Sequence, residues 1–424
     1  MRDFLQMFIM RIPDRMIDYF QSPHYSYWEA LNDKLDFAIS REGKRSRNRI
    51  IIPGFVRNVF ESTERRRSKY PKLLDASGTY KIPTTKQKLK DALEEKDTIA
   101  MVLTIEGAHS FGTDRGTVED WLAHVDFVKK QWAYPVFFVT FAHHFDNKLC
   151  GHAHSFPDIS ALILDQSKRL NGKFTSAGWR MIRKLLSLNA QNEEDPNEGY
   201  RILIDVKHMS ADSRKQFYEK IIKPCLAKGL TIPVIASHNG HSGRKTLDEL
   251  IANYGQEKDD SFEPTGKLNN WNINVCDEDV QIIYETKGLL GLSLDQRIMG
   301  VPKKQKKTGK QNTIVAVWNT IEASLKAIYD RTDLSEEAKF KVWDCITLGS
   351  DFEGFIDPIN EFKTALEYVD LKRQLIDFIE TKRTASGGTL YGLTDTQDTE
   401  QVVENICVGN ARRFVVENYP DFGS

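Results

Sequence analysis

Four short stretches carry residue types that could do hydrolytic chemistry: Thr104-Ile105-Glu106-Gly107, Asp205-Val206-Lys207-His208, Ala236-Ser237-His238-Asn239 and Leu348-Gly349-Ser350-Asp351. Each follows or ends an apolar run, at Ile99 to Leu103, Ile202 to Ile204, Ile232 to Ile235 and Cys345 to Leu348. A Glu, two His and an Asp emerging where buried strands end is how an α/β barrel assembles a metal-hydrolase site on its carboxyl face. Neutral imidazoles and a carboxylate are a set that catalytic zinc takes. Three such ligands leave one position for water, which then becomes a nucleophile near neutral pH. Glu106 directly follows Val102-Leu103-Thr104-Ile105, where a lone buried charge would cost several kcal/mol. It is therefore expected to be paired or metal-bound. His208 or His238 alone would more often be a hydrogen-bonded core histidine; together with Glu106 they read as ligands. Asp351, between Gly349 and Gly354, suits a base or orienter of that water, with a helix N-cap as the plainer alternative.

These residues need strands to carry them. From Ile99 the chain alternates apolar runs with helical spacing, and strands are expected at 99–105, 134–142, 201–206, 231–236, 288–294 and 345–350. The helices between them are expected at Val118 to Gln131, from the Thr175-Ser176 cap to Leu188, at 211–228, after Lys245, at 312–329 and at 360–381. A last helix, Asp395 to Arg413, is expected to start from Thr394 or Thr396. Strands alternating with helices favour one parallel sheet, and ligand-type residues after nearly every strand favour a barrel rim over an open sheet. The fold class is thus α/β, a (β/α)8 TIM-type barrel. Phe4 to Met10 reads as a buried strand or a helix start, and the basic run Glu61 to Lys69 as a solvated helix face. Gln191 to Glu198 and Val301 to Gln311 read as surface loops.

The composition fits one well-cored chain of 424 residues, 40% hydrophobic and 10% aromatic. The expected organisation is a single domain over 1–424, with a helical part at 1–98 and a barrel core at 99–415. Lys+Arg 59 against Asp+Glu 60 points to neither nucleic acid nor an anionic membrane as partner. Five scattered cysteines without a CxxC fit a reducing compartment, and no export signal or membrane span is visible at the start. A cytoplasmic location is expected. The assembly is left open, a homodimer included.

Taken in order, IEGAHS (105–110), TFAHH (140–144), FTSAGWRMIRKLL (174–186), LIDVKHMS (203–210), IASHNG (235–240), GSDFEG (349–354) and VGNARRF (408–414) resemble the renal or membrane dipeptidase family of metallopeptidases. The resemblance covers about residues 99–415. It implies a (β/α)8 barrel with two zinc ions that hydrolyses dipeptides and related amides. It further implies that Glu106 bridges the metals, that His208 and His238 complete the second metal's shell, that His143 faces the substrate and stabilises the tetrahedral intermediate, and that Asp351 handles the proton.

The departures set further expectations. The family's first strand brings a His-x-Asp-like or His-x-His-like pair for the other metal, and only the isolated His24 precedes the Glu106 strand. With six clear strands where the barrel needs eight, the chain is expected to lack its N-terminal strand, to show an open sheet edge and to bind one zinc. A degenerate barrel that binds one metal or none is the alternative. His144-Phe145-Asp146 and His152-Ala153-His154 are reserve ligands, whereas His124-Val125-Asp126 falls inside a helix. Ile273 stands where the family has an Arg that grips the substrate carboxylate. Arg244 is the expected substitute.

Overall fold

Six strands form one parallel sheet in chain order, β4 (Leu103–Glu106), β5 (Val136–Thr140), β6 (Leu203–Asp205), β7 (Val234–Asn239), β8 (Leu289–Leu292) and β9 (Ile346–Leu348). The structure is a computed structural model that describes residues 26–44, 46–47, 77–155, 166–255, 268–301, 314–352, 354 and 356–420. Phe4 to Met10, His24, Glu61 to Lys69 and most of Val301 to Gln311 lie outside the described residues.

Each sheet strand stands where an apolar run placed it, because a strand buried on both faces has little room for polar residues. Ile204, Val234, Ala236, Leu290 and Leu292 pack in the large core under the helices. Leu203, Ile235 and Leu289 join Phe137 on the other face in a second cluster. Phe414 and Tyr419 from the C-terminal region and Leu89 close that cluster at the strands' amino ends. Tyr419 is fixed there by its hydroxyl, which donates to the Pro83 carbonyl at 2.7 Å.

The helices between the strands follow local signals. Val118–Lys130 starts at a capping box between Thr117 and Asp120, and Ser176–Leu185 at the Thr175 hydroxyl. The 211–228 helix is broken into Ala211–Phe217 and Lys223–Ala227 by a π turn, Tyr218–Ile222. The last helix is likewise Thr396–Glu404, a π turn, then Asn410–Asn418, and its cap is Asp395 rather than Thr394 or Thr396. A helix at Asp277–Glu285, packed between β7 and β8, was not expected; its N-cap is Cys276.

The N-terminal part corrects two expectations. It is not simply helical: β1 (Ser46–Arg47), β2 (Ser77–Lys81) and β3 (Thr98–Ala100) form a separate small sheet beside the helices Tyr27–Arg41 and Lys86–Glu94. The run 99–105 is two strands, since β3 pairs with β2 while β4 pairs with β5, and Ile99 is 69% exposed. Hydrophobicity alone cannot show where a continuous apolar run changes partners.

Among the described residues β4 and β9 are the edges of the large sheet. Laid flat, six strands would separate them by about 24 Å. Yet Glu106 of β4 and Asp351 just past β9 both lie within 3.8 Å of His238 Nε2, so the sheet is strongly curved. Two glycines allow it: a Cβ at Gly291 or at Gly349 would collide with the Ser237 carbonyl oxygen. Here three strands press together more closely than any side chain permits.

Candidate metal centre

The carboxyl ends of the curved sheet enclose a cavity of about 310 Å³ lined by Glu106, His143, His144, Lys207, His208, His238, Asp295, Arg297 and Asp351, among others. Each strand delivers its residue by a local departure from regular backbone. Register shifts interrupt the ladder in β4 between Leu103 and Ile105 and in β7 between Ala236 and Asn239, just where Glu106 and His238 leave the sheet. His208 (φ 65°) and Asp351 (φ 58°) adopt left-handed backbone, which costs a non-glycine residue on the order of 1 kcal/mol or more and clusters at functional sites. Gly354 clears space beside Asp351, because a Cβ there would meet the carboxylate.

Glu106 Oε1 lies 3.5 Å from His143 Nε2, 3.6 Å from His208 Nε2 and 3.7 Å from His238 Nε2. The two Nε2 atoms of His208 and His238 are 3.3 Å apart. Bonds of about 2 Å to a tetrahedral ion hold ligand atoms about 3.3 Å apart, so Glu106, His208 and His238 fit one ion without rearrangement. A second set, His143, His144 and His208, also has its ligand atoms within 4.8 Å of one another and shares His208 with the first.

The protonation states suit the same reading. Burial pushes His208 down to about 3 and His238 and His144 well below the usual imidazole range, with neighbouring positive groups adding to the effect, so these rings are neutral at neutral pH. Partial desolvation would raise Glu106, whose side chain is 45% exposed, but the imidazoles of His143 and His208, 3.5 and 3.6 Å away, outweigh it and hold the carboxyl well below its usual range. Asp351 is pushed up to about 7 by burial and by Glu106, against the pull of Lys207. A carboxyl group at that value can take and return a proton near neutral pH.

One hydrogen-bonded chain fixes the ring of His238. Asp205, fully buried, accepts from the Thr140 hydroxyl and the Ser237 hydroxyl at 2.6 Å each, and from the backbone N–H of Lys207 and of Ser237. Ionised, it only accepts, so Ser237 donates to it and must accept from His238 Nδ1–H, 2.8 Å away. That leaves the Nε2 lone pair of His238 facing Glu106. Hydrogen bonds to the far nitrogen of a ligating imidazole set its orientation and basicity.

No known family model matches this chain, and no curated protein matches it in sequence. Among solved structures it is similar to an amidohydrolase from Pseudomonas aeruginosa, at 15% identity over 86% of this chain and 83% of that one, with a TM-score of 0.45. It is also similar to a dipeptidase of the metallopeptidase class, at 11% identity over 80% and 71%, TM-score 0.45. A metallopeptidase from Rhodobacter sphaeroides, solved with a phosphinate mimic of the dipeptide L-Ala-D-Ala, follows at 13% over 82% and 74%, TM-score 0.42. The chemistry of the centre is read from its own side chains.

Glu106, His143, His208, His238 and Asp351 all line this one cavity. Arg244 is not among the cavity's lining residues, and its carbonyl accepts from the Asp277 N–H at the start of the Asp277–Glu285 helix. Ile273 does line the cavity, and the guanidinium that shares it is Arg297, held on Asp295 with Nε 3.0 Å from both carboxylate oxygens. Of the reserve ligands only His144 reaches the centre, where its Nδ1 lies 2.8 Å from Ser155 Oγ. Asp146 pairs with Lys168 and Arg169, both His152 ring nitrogens lie 3.1 Å from backbone carbonyls, and His154 packs edge-on against Trp271. His124 stacks on Trp28 instead of lying on a bare helix surface. Asp205, Lys207, Ser237, Asp295 and Arg297 went unassigned in the sequence. Their signal was a polar residue beside or just past an apolar strand, the same signal that singled out Glu106.

Proposed function

We propose that this chain is a metal-dependent hydrolase of the dipeptidase type, cleaving an amide bond of a small substrate with one zinc ion held by Glu106, His208 and His238. The observation that carries the reading is the meeting of these three groups, from three strands, at the spacing of a tetrahedral shell. The ion, when bound, supplies a nucleophile by lowering the pKa of its water. Asp351 would take the proton of the attacking water as the water oxygen bonds to the amide carbon and the C=O π pair moves onto the carbonyl oxygen. As the pair returns and the C–N bond breaks, Asp351 passes the proton to the departing nitrogen. His143, 20% exposed and beside Glu106, faces the substrate and steadies the carbonyl oxygen. With Ile273 in place of a carboxylate-gripping Arg, a free substrate carboxylate gains less here than the about 1.5–3 kcal/mol of a charge-assisted pair.

Metal content by mass spectrometry and a panel of free and C-terminally blocked dipeptides test this. About one zinc equivalent is expected, with blocked substrates cleaved at rates comparable to free ones. Asp351→Asn should keep the metal and lose about 10²–10⁴-fold in kcat. Zinc bound without turnover of any amide would leave the alternative, a binding barrel that does no chemistry. Zinc retained after removal of Glu106, His208 and His238 would end the metal-centre reading.

A further inference from the structure

Lys207 lies in the same cavity and has no part in the steps above. The residue is 1% exposed, and its Nζ has no hydrogen-bond partner among the described residues. Only its backbone is tied, through the N–H that donates to Asp205 Oδ1 at 3.0 Å. A buried ammonium without a partner is costly, and it is kept only where the surrounding field favours it. That field comes from Asp351, Asp205, Asp295 and Glu106. Glu106, Asp295 and Asp351 line the cavity with Lys207, and the other cation there, Arg297, is already engaged on Asp295.

We infer that Lys207 is the second cation of a one-metal centre: its ammonium offsets Glu106 and Asp351 as another ion would, and it donates to the substrate oxygen on which negative charge develops. This rests on the hydrolase reading and adds to it the group that stands in for a second metal. Lys207 gives up no proton in the reaction. It acts as a fixed, desolvated donor, a kind of interaction worth far more in a dry cavity than in water. The orphaned Nζ is thereby explained, since its missing partner is the oxygen that substrate brings.

The test compares the full chain with Lys207→Met and Lys207→Arg, all stripped of metal and reloaded with zinc. Stoichiometry is read by mass spectrometry, affinity by competition with a chelating dye, and kcat and KM on the best amide substrate. The unmodified chain should take one equivalent. Lys207→Met, freed of a like charge, should bind zinc at least about tenfold more tightly, yet turn over about 10²–10³-fold more slowly with KM little changed. A purely structural lysine would not give tighter metal and slower turnover together. Lys207→Arg should keep the unmodified affinity and a kcat within about tenfold, and it carries the test should Lys207→Met fail to fold. Two tightly held zinc ions in the unmodified chain or in Lys207→Arg would overturn the inference, as would unchanged affinity and kcat in Lys207→Met. A chain that takes no zinc at all would overturn the hydrolase reading and this inference with it.

Discussion

The two ends of the parallel strands hold cavities of similar size and opposite character. At the amino ends, Tyr284, Lys287, Gly288, Asp344, Arg413 and Glu417 help to line a space of about 400 Å³, larger than the about 310 Å³ at the carboxyl ends. Its charges are half-exposed, as in the Arg413–Asp344 pair at 3.3 Å. Its left-handed residue, Lys287, ends the Asp277–Glu285 helix, an ordinary place for such backbone. At the carboxyl ends the left-handed residues are His208 and Asp351, which no helix end accounts for, and the imidazoles are buried and kept neutral. Volume does not separate the two cavities. Strain and desolvation placed on ligand-type groups do, because a fold bears such costs only where something else requires them.

The largest effect should come from the carboxylate at the middle of the centre. Glu106→Gln keeps shape and removes charge. It should drop bound zinc from about one equivalent to near zero and lower turnover at least about 10³-fold. Full zinc content in this variant would erase the distinction between the two cavities.

The pH response follows from the depressed imidazoles. Unfolded histidines titrate near 6.5, whereas His208 and His109 are held down to about 3, and His144 and His238 are also pushed well down, in each case chiefly by burial. As pH falls below 6.5 the unfolded chain takes up protons that the folded chain refuses. Stability present above 6.5 is therefore lost progressively toward pH 3. Asp351, raised to about 7, works in the opposite sense: what it contributes is present below about pH 4 and lost as pH rises to 7. Four imidazoles outweigh one carboxyl. Urea titration of the metal-free chain should show a loss of about 2 kcal/mol or more between pH 7 and 5. A midpoint that stays level across that range would mean the rings are solvated.

A smaller effect should follow from Ser237→Ala, which leaves His238 Nδ1 without its acceptor and takes one of four donors from Asp205. Zinc affinity should fall about 10–100-fold with stoichiometry unchanged, as read by chelator competition. Smallest of all, Arg413→Ala at the amino-end cavity and Arg244→Ala should leave zinc affinity and kcat within about twofold and stability within about 0.5 kcal/mol. A strong effect of Arg244→Ala on KM would return to that residue the carboxylate role the sequence suggested.

The sheet and the meeting of Glu106, His208 and His238 were legible in the sequence because both follow from strand ends. Strands enclosed on two faces leave uninterrupted apolar runs, and a Glu or His directly behind such a run must be accounted for. What stayed hidden depends on partners in space. Nothing in Ile99 to Leu103 marks the change from one sheet to another. The Asp277–Glu285 helix begins at Cys276, which is not a residue that announces a cap. The π turns at Tyr218–Ile222 and Asn405–Gly409 leave the helical spacing nearly intact. Lys207 reads as a surface residue until the fold closes around it, and Arg297 shares the cavity with Ile273 only once the chain past β8 has folded.

Gly291 and Gly349 bring no chemistry to the centre, and a search for ligand motifs would pass over both. Yet whether the same cavity can form in another chain is decided most simply at these two positions. A related sequence that keeps the Glu, both His and the Asp but carries side chains at these two positions could not bend its sheet far enough for the four to meet, and it would hold the vocabulary of a hydrolase without the syntax. One that keeps both glycines after losing a ligand would still bend its sheet around the same cavity.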